Sequence, residues 1–257
     1  MKNETILISG ASSGIGRATA MLLAKSGRNL ILTGRRSDRL TELKRELELL
    51  GVQVFTGVFD IQSRKETEAF VSAIPEEFQS IRVLVNNAGI QHVSPIEDFP
   101  DEKWAAIIGI NLTSAFYLTK AVWKGMKERK FGRIINIASA HGLVASEFKS
   151  AYVASKHGIV GFTKTIALEG APFGITANAI CPGYVKTPLV EKQIADQAKA
   201  HSMSEADVVN KVMLYKQAVK EFVSLEELGQ LAVFLASDIA KTMTGTALPV
   251  DGGWNAQ

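Results

Sequence analysis

Thr5-Ile6-Leu7-Ile8-Ser9-Gly10-Ala11-Ser12-Ser13-Gly14-Ile15-Gly16, followed by Arg17-Ala18-Thr19-Ala20-Met21-Leu22-Leu23-Ala24, decides the fold of this 257-residue chain. The first five residues are apolar or β-branched and read as a short buried strand; the last eight have the spacing of an amphipathic helix. Between them lies a glycine turn. Strand, glycine turn and helix, in that order, are what a bound dinucleotide requires. Gly10 permits the tight turn, Gly14 lets a ligand approach the backbone, and Gly16 lets the helix pack on the strand. Ser12, Ser13 and Ile15 fill the loop between them. A pyrophosphate would rest on the helix N-terminus, where free N–H groups and the helix dipole favour negative charge. The spacing is GxxxGxG rather than GxGxxG, so a glycine-rich surface loop is the competing reading.

Outward from this unit the same alternation continues. Apolar runs recur at Asn29–Thr33, Val52–Val58, Val83–Asn86, Arg133–Ala138, Thr176–Cys181 and Ala247–Asp251. Helical patterns lie between or beside them, at Arg36–Leu50, Ser63–Ala73, Asp101–Arg129, Ala151–Glu169 and Leu225–Ser237. The expected fold is α/β: a single-domain, Rossmann-type, doubly wound parallel sheet flanked by helices. No proline-rich linker, composition break or repeat divides the chain. The exception to the alternation is the stretch Pro182–Val223, with Gly183 and Pro188 near its start. A long excursion at the C-terminal end of a parallel strand usually covers a ligand site, so residues 184–223 are expected to form a mobile helical lid.

Composition sets further bounds. With 46% apolar residues the chain can bury one substantial core. A net charge of +3 with scattered basic residues does not point to nucleic acid. No uninterrupted apolar run reaches membrane-spanning length, and the N-terminus has no apolar leader; a soluble, cytoplasmic protein is expected. Cys181 is the only cysteine, so no internal disulfide can form. No Cys/His cluster has zinc spacing, and no catalytic metal is expected.

Tyr152-Val153-Ala154-Ser155-Lys156 places a phenol and an ammonium four residues apart, on one face of a helix. A nearby positive charge stabilises phenolate, which would make Tyr152 a general base near neutral pH. The competing reading puts Tyr152 in the core and Lys156 in solvent. Val83-Leu84-Val85-Asn86-Asn87-Ala88-Gly89 reads as a buried strand ending where backbone passes close to a cofactor. Asn111 falls inside a helical stretch, where asparagine is unfavourable; it is either functional or exposed on the helix surface. Ser139 follows the strand Ile134–Ala138 and precedes Tyr152 by thirteen residues, so its hydroxyl either projects towards the Tyr152 helix or caps a turn.

Glycine turn, Asn-Asn-Ala-Gly, Asn111, Ser139, Tyr152 and Lys156 in this order make the chain resemble the short-chain dehydrogenase/reductase family over essentially its full length. The resemblance implies that Tyr152 exchanges a proton with the substrate oxygen and that Ser139 hydrogen-bonds that oxygen. It further implies that Lys156 lowers the Tyr152 pKa and holds the nicotinamide ribose, and that Asn111 binds a water linking Lys156 to solvent. Asn87, Ala88 and Gly89 would flank the cofactor. Pro182, Gly183, Val185 and Thr187 match the segment beside the nicotinamide carboxamide. Family members are commonly homotetramers, and some carry a structural metal at the C-terminus, here Gln257.

For the substrate, Gln91, His141, Lys149 and Gln193 stand beside the catalytic motifs. Singly each reads as an ordinary loop or surface residue. As a set they resemble the carboxylate pocket of the family's D-3-hydroxybutyrate dehydrogenases, as do the surrounding strings Gly89-Ile90-Gln91-His92, Ser139-Ala140-His141-Gly142 and Thr187-Pro188-Leu189-Val190. That resemblance implies a small 3-hydroxy or 3-keto acid as substrate and (R)-3-hydroxybutyrate oxidation as the reaction. Tyr184 stands where many of those proteins carry tryptophan, and Trp254 is expected to reach the pocket of a neighbouring subunit. A hydroxy amino acid such as serine and a 3-oxoacyl thioester are the alternative substrates. A dinucleotide-sensing scaffold is the non-enzymatic alternative.

The first ninety residues look different. Leu30-Ile31-Leu32-Thr33-Gly34-Arg35-Arg36 ends with two arginines and no carboxylate. An NAD(H) site usually offers a carboxylate to the ribose 2′-OH, whereas arginine suits the 2′-phosphate of NADP(H). This segment, with Phe59-Asp60-Ile61, resembles the NADP-dependent serine and 3-hydroxy acid dehydrogenases. NADP(H) is the expected cofactor, NAD(H) the alternative, and Asp60 and Ile61 belong to its expected site. The contrast suggests a chain of mosaic character, natural, reconstructed or engineered, with a boundary near Asn86–Gly89.

Overall fold

The computed structural model describes the chain except for residues 1–3, 188–189, 192–193, 195–197, 199–202 and 257. Seven strands form one sheet in the order β3-β2-β1-β4-β5-β6-β7, every neighbouring pair parallel. They are β1 (Thr5–Ile8), β2 (Asn29–Gly34), β3 (Val54–Val58), β4 (Ile81–Asn86), β5 (Gly132–Ile137), β6 (Ile175–Pro182) and β7 (Ala247–Val250). The helices are α1 (Gly14–Ala24), α2 (Ser37–Glu48), α3 (Arg64–Ser72), α4 (Asp101–Ile108), α5 (Ser114–Glu128), α6 (Ser150–Gly170) and α7 (Leu225–Leu235).

Alternate side chains of each central strand feed two apolar layers, which is why these strands read as continuous apolar runs rather than as an alternating pattern. Ile6, Ile8, Leu30, Leu32, Val83 and Val85 face one layer with Leu23, Leu40, Leu43, Leu228 and Leu235. Leu7, Ile31, Leu84 and Ile134 face the other with Leu118, Val122, Met126 and Ile166. Strand order reverses between β1 and β4, so the loops after their C-terminal ends splay apart and leave a crevice there.

One expectation needs correction. The stretch read as one helix over Asp101–Arg129 is α4 and α5 joined by a π-helical turn, Gly109–Thr113, which carries Asn111. The extra residue in that turn re-aims the side chains around it. This same run, Asp101–Glu128, is also long and apolar enough by length and composition to cross a bilayer. Its apolar face is instead spent on the sheet, where Leu118, Val122 and Met126 are buried.

The described part of the excursion after β6 packs at the C-terminal end of the sheet. Val185 bridges to Val223, and Ile194, Val208 and Met213 form a small apolar cluster with Tyr184 and Phe222.

Candidate active site

A cleft of about 1040 Å³ opens along the C-terminal edge of the sheet. At one end it is walled by the glycine turn. Gly10 and Gly14 sit at φ +64° and +56°, a conformation L side chains rarely adopt. A Cβ on Gly10 would lie 2.8 Å from the Ala88 Cα, and one on Gly16 would collide with the Asn87 amide and lie 2.6 Å from the Gly10 carbonyl oxygen. Asn87 explains that closeness: its Nδ2 donates to the main-chain oxygens of Ser9 and Gly10, both at 3.0 Å. The Ser9 hydroxyl accepts from the N–H groups of Asn87 and Ala88. The Asn-Asn-Ala-Gly loop and the glycine turn are thus one clamped unit.

No side chain caps α1, so its first N–H groups point into the cleft unshielded. Arg35, Arg36 and Arg39 rim this end. Arg36 donates to the hydroxyls of Ser12 (3.2 Å) and Ser13 (2.7 Å), and Arg17 is paired with Glu46. Of the carboxylates here, Glu42 sits 3.7 Å from Arg39, and Asp60 accepts from the Gln62 N–H. An uncapped helix N-terminus, a cradle that side chains would fill and an arginine rim suit a dinucleotide.

The other end holds Ser139, Tyr152 and Lys156. Helix α6 carries Tyr152 and Lys156, and the Ser139 hydroxyl, at the cap of the turn Ala140–Gly142, accepts from the His141 N–H. Burial pushes the Tyr152 phenol above its usual range, against a hydrogen bond with Ser139 that pulls it down. Lys156 is buried, and burial lowers its ammonium to about 8. Its Nζ donates to the Ile137 carbonyl at 2.7 Å and lies 5.6 Å from the centre of the Tyr152 ring. Desolvation is the largest influence on both groups, favouring the neutral phenol and the neutral amine.

Asn111 is buried rather than on the helix surface. Its Oδ1 accepts from the Ile90 N–H at 2.8 Å, and its Nδ2 donates to the Ile90 carbonyl at 2.9 Å and to Ser155 Oγ at 3.1 Å. The Asn111 amide is engaged by the Ile90 main chain and the Ser155 hydroxyl. It braces the loop after β4 against α6, keeping Gly89 next to the Lys156 ammonium.

The floor of the pocket is aromatic. Tyr184 and Trp254 stack with ring centres 5.7 Å apart and planes 7° apart, and His141 stands edge-on to Trp254 and to Tyr152. Trp254 therefore lines the cleft of its own chain, not only a neighbour's as expected, because Gly252 and Gly253 turn the segment after β7 back across the sheet end. Burial, aided by the charges of Lys149 and Lys216, lowers His141 to about 3. Burial also lowers Lys149, whose Nζ lies 5.6 Å from the Tyr184 ring centre. Gln91 lines the same cleft. Gln193 and Gln257 lie outside the described residues.

The structure thus brings Gly10, Ser12, Ser13, Gly14, Ile15, Arg35, Arg36, Asp60, Ile61, Asn87, Ala88, Gly89, Gln91, Ser139, His141, Lys149, Tyr152, Lys156, Pro182, Gly183, Tyr184, Val185, Thr187 and Trp254 to one cleft. Gly16 and Asn111 stand just behind it. Sequence reasoning missed Arg39, although it lies one helical turn beyond Arg35. It also missed Lys216, whose Nζ is 5.8 Å from the Trp254 ring centre, and Gln217. Buried Gln217 accepts from the Tyr184 N–H and donates to the carbonyls of Val219 and Glu221, tying the aromatic wall to the far end of the excursion. No local pattern marks either residue, since both reach the site only through the fold.

Fold and cleft define a dinucleotide-dependent oxidoreductase. The chain belongs to the short chain dehydrogenase family, whose model matches residues 4–198. It is 49% identical to a D-beta-hydroxybutyrate dehydrogenase of Rhizobium meliloti, the alignment covering 99% of each chain. It is 48% identical to a protein of the same name from Cupriavidus necator, covering 100% of each. A crystal structure of an actinorhodin polyketide ketoreductase variant with NADPH superposes with a TM-score of 0.93 at 36% identity, covering 99% of this chain and 98% of that one. The likeness to the hydroxybutyrate enzymes runs from end to end, so it includes the first ninety residues and is not confined to those after Gly89.

Proposed function

We propose that this chain interconverts (R)-3-hydroxybutyrate and acetoacetate with a nicotinamide cofactor. The observation that carries the reading is the convergence of Lys149, His141 and Gln91 on the cleft that holds Tyr152 and Ser139. A cationic and two neutral hydrogen-bonding side chains in an aromatic pocket suit a small carboxylate, placed beside the pair that would handle a hydroxyl or carbonyl oxygen. The names of the most similar relatives support the same substrate.

When bound, the cofactor supplies the two-electron redox chemistry. The protein's part is position and proton transfer. In reduction, the Tyr152 phenol donates its proton to the substrate oxygen while Ser139 hydrogen-bonds that oxygen. In oxidation, the Tyr152 phenolate, its charge compensated by the Lys156 ammonium, takes the alcohol proton and becomes the neutral phenol.

Arg35, Arg36 and Arg39 favour NADP(H) in this reading: they would hold the 2′-phosphate, and the uncapped α1 N-terminus would hold the pyrophosphate. The natural assembly is read as a homotetramer in the cytoplasm, with exposed Trp104, Phe116 and Leu168 on α4, α5 and α6 as apolar contact surface. Residues 184–223 are read as the lid. The test is an initial-rate assay following reduced cofactor with (R)-3-hydroxybutyrate, run in parallel with NAD⁺ and NADP⁺ and with L-serine as comparison. Turnover of hydroxybutyrate supports the carboxylate pocket. Turnover of serine alone would overturn it.

A further inference from the structure

A neutral imidazole has one donor and one acceptor, and which nitrogen carries the proton is set by the partner of the other. His141 is fixed as few surface histidines are. Its main-chain N–H is held by Ser139 Oγ at 3.2 Å. Its ring is wedged edge-on against Tyr152, with centres 5.9 Å apart, and against Trp254, with centres 5.0 Å apart. Its Nε2 lies 2.9 Å from Ser146 Oγ. The Nδ1 atom has no hydrogen-bond partner among the described residues and is not among the buried unpaired atoms, so it is the ring nitrogen left to the cleft that His141 lines. Burial beside Lys149 and Lys216 keeps the ring uncharged.

We propose that Ser146 is a positioning residue: its hydroxyl donates to His141 Nε2, which holds the ring proton on Nδ1 as a donor for the substrate carboxylate. The carboxylate half of this statement rests on the substrate reading above. The opposite arrangement, with Nε2 donating to Ser146, would turn the Nδ1 lone pair towards an anion in a low-dielectric pocket. Ser146 Oγ has no other hydrogen-bond partner among the described residues, so its hydrogen is free to point at Nε2. The sequence spacing explains the choice of residue. Ser139 and Ser146 flank His141 on either side of one turn, so one hydroxyl fixes the main chain and the other fixes the ring.

The experiment combines kinetics with nitrogen-15 NMR of the histidine rings, the His141 signals being assigned by their loss in His141→Gln. In the unmodified protein, the expected spectrum has a protonated Nδ1 and an unprotonated Nε2. Ser146→Ala should raise the KM for (R)-3-hydroxybutyrate by about tenfold, the scale of a charge-assisted hydrogen bond, with kcat and cofactor affinity little changed. Ser146→Thr, which keeps the hydroxyl, should restore it. A protonated Nε2 in the unmodified protein, or an unchanged KM in Ser146→Ala when the unmodified protein is active, would overturn the role of Ser146 and leave the substrate reading standing. Absence of hydroxybutyrate turnover in the unmodified protein would overturn the substrate reading and with it the carboxylate role. The NMR tautomer then decides the Ser146 contact alone.

Discussion

The two ends of the cleft carry the same sign of charge in opposite surroundings. At the glycine-turn end, Arg35, Arg36 and Arg39 are exposed at the rim. At the proton-transfer end, Lys156 is buried and Lys149 half-buried, and neither has an ion-pair partner among the described residues. Exposed arginines are screened, cost little to keep charged and can select a phosphate without straining the fold. Buried lysines resist being charged, so their environment shifts their pKa and readies them for chemistry. In the proposed reading one end chooses the ligand and the other moves a proton.

The comparison is most sharply broken at Tyr152. Tyr152→Phe removes the oxygen that exchanges the proton in the proposed reaction, and turnover should fall by about 10²- to 10⁴-fold while cofactor affinity, read by fluorescence titration, stays within about twofold. Near-normal turnover would remove Tyr152 from the mechanism. At the other end, replacing both Arg35 and Arg36 with serine should lower kcat/KM for NADP⁺ by about 10- to 100-fold, with a much smaller effect for NAD⁺. An unchanged ratio would make the arginines solvated bystanders. Lys149→Ala should raise the KM for hydroxybutyrate by about tenfold and leave that for an uncharged secondary alcohol unaltered. Equal effects on both would exclude direct carboxylate binding.

The smallest effect is on stability. An unfolded histidine titrates near 6.5, whereas His141 does so at about 3. Between those values the unfolded chain holds a proton the folded chain lacks, so stability falls as pH falls, by about 1.4 kcal/mol per unit from this group. On going from pH 6.5 to 5.5, His141→Gln should lose less stability than the parent by roughly 1 kcal/mol, or about 2–4 °C in Tm. Parallel losses in both proteins would mean that His141 is hydrated and titrates normally.

Much of this was legible before any coordinates. The seven apolar runs became the seven strands with ends shifted by one or two residues, because a doubly wound sheet buries both faces and marks its strands by composition alone. The glycine turn was legible because a positive φ and a close backbone approach leave little choice of residue. Asn111 shows the limit: its position in a helix looked unfavourable, but that its amide is spent on Ile90 depends on a π-helical turn that no periodicity announces. Trp254 shows another, since its place beside His141 depends on how the segment after β7 folds back.

Sequence by itself therefore determined the sheet, the dinucleotide cradle and the helix-borne Tyr152–Lys156 pair, because each rests on contacts between near neighbours along the chain. Only the tertiary structure decided the ionisation of Tyr152, Lys156 and His141, the brace around Asn111 and the reach of Lys216 and Gln217 into the site. Those depend on what is excluded from water and on which distant segments meet, and neither is written in local spacing.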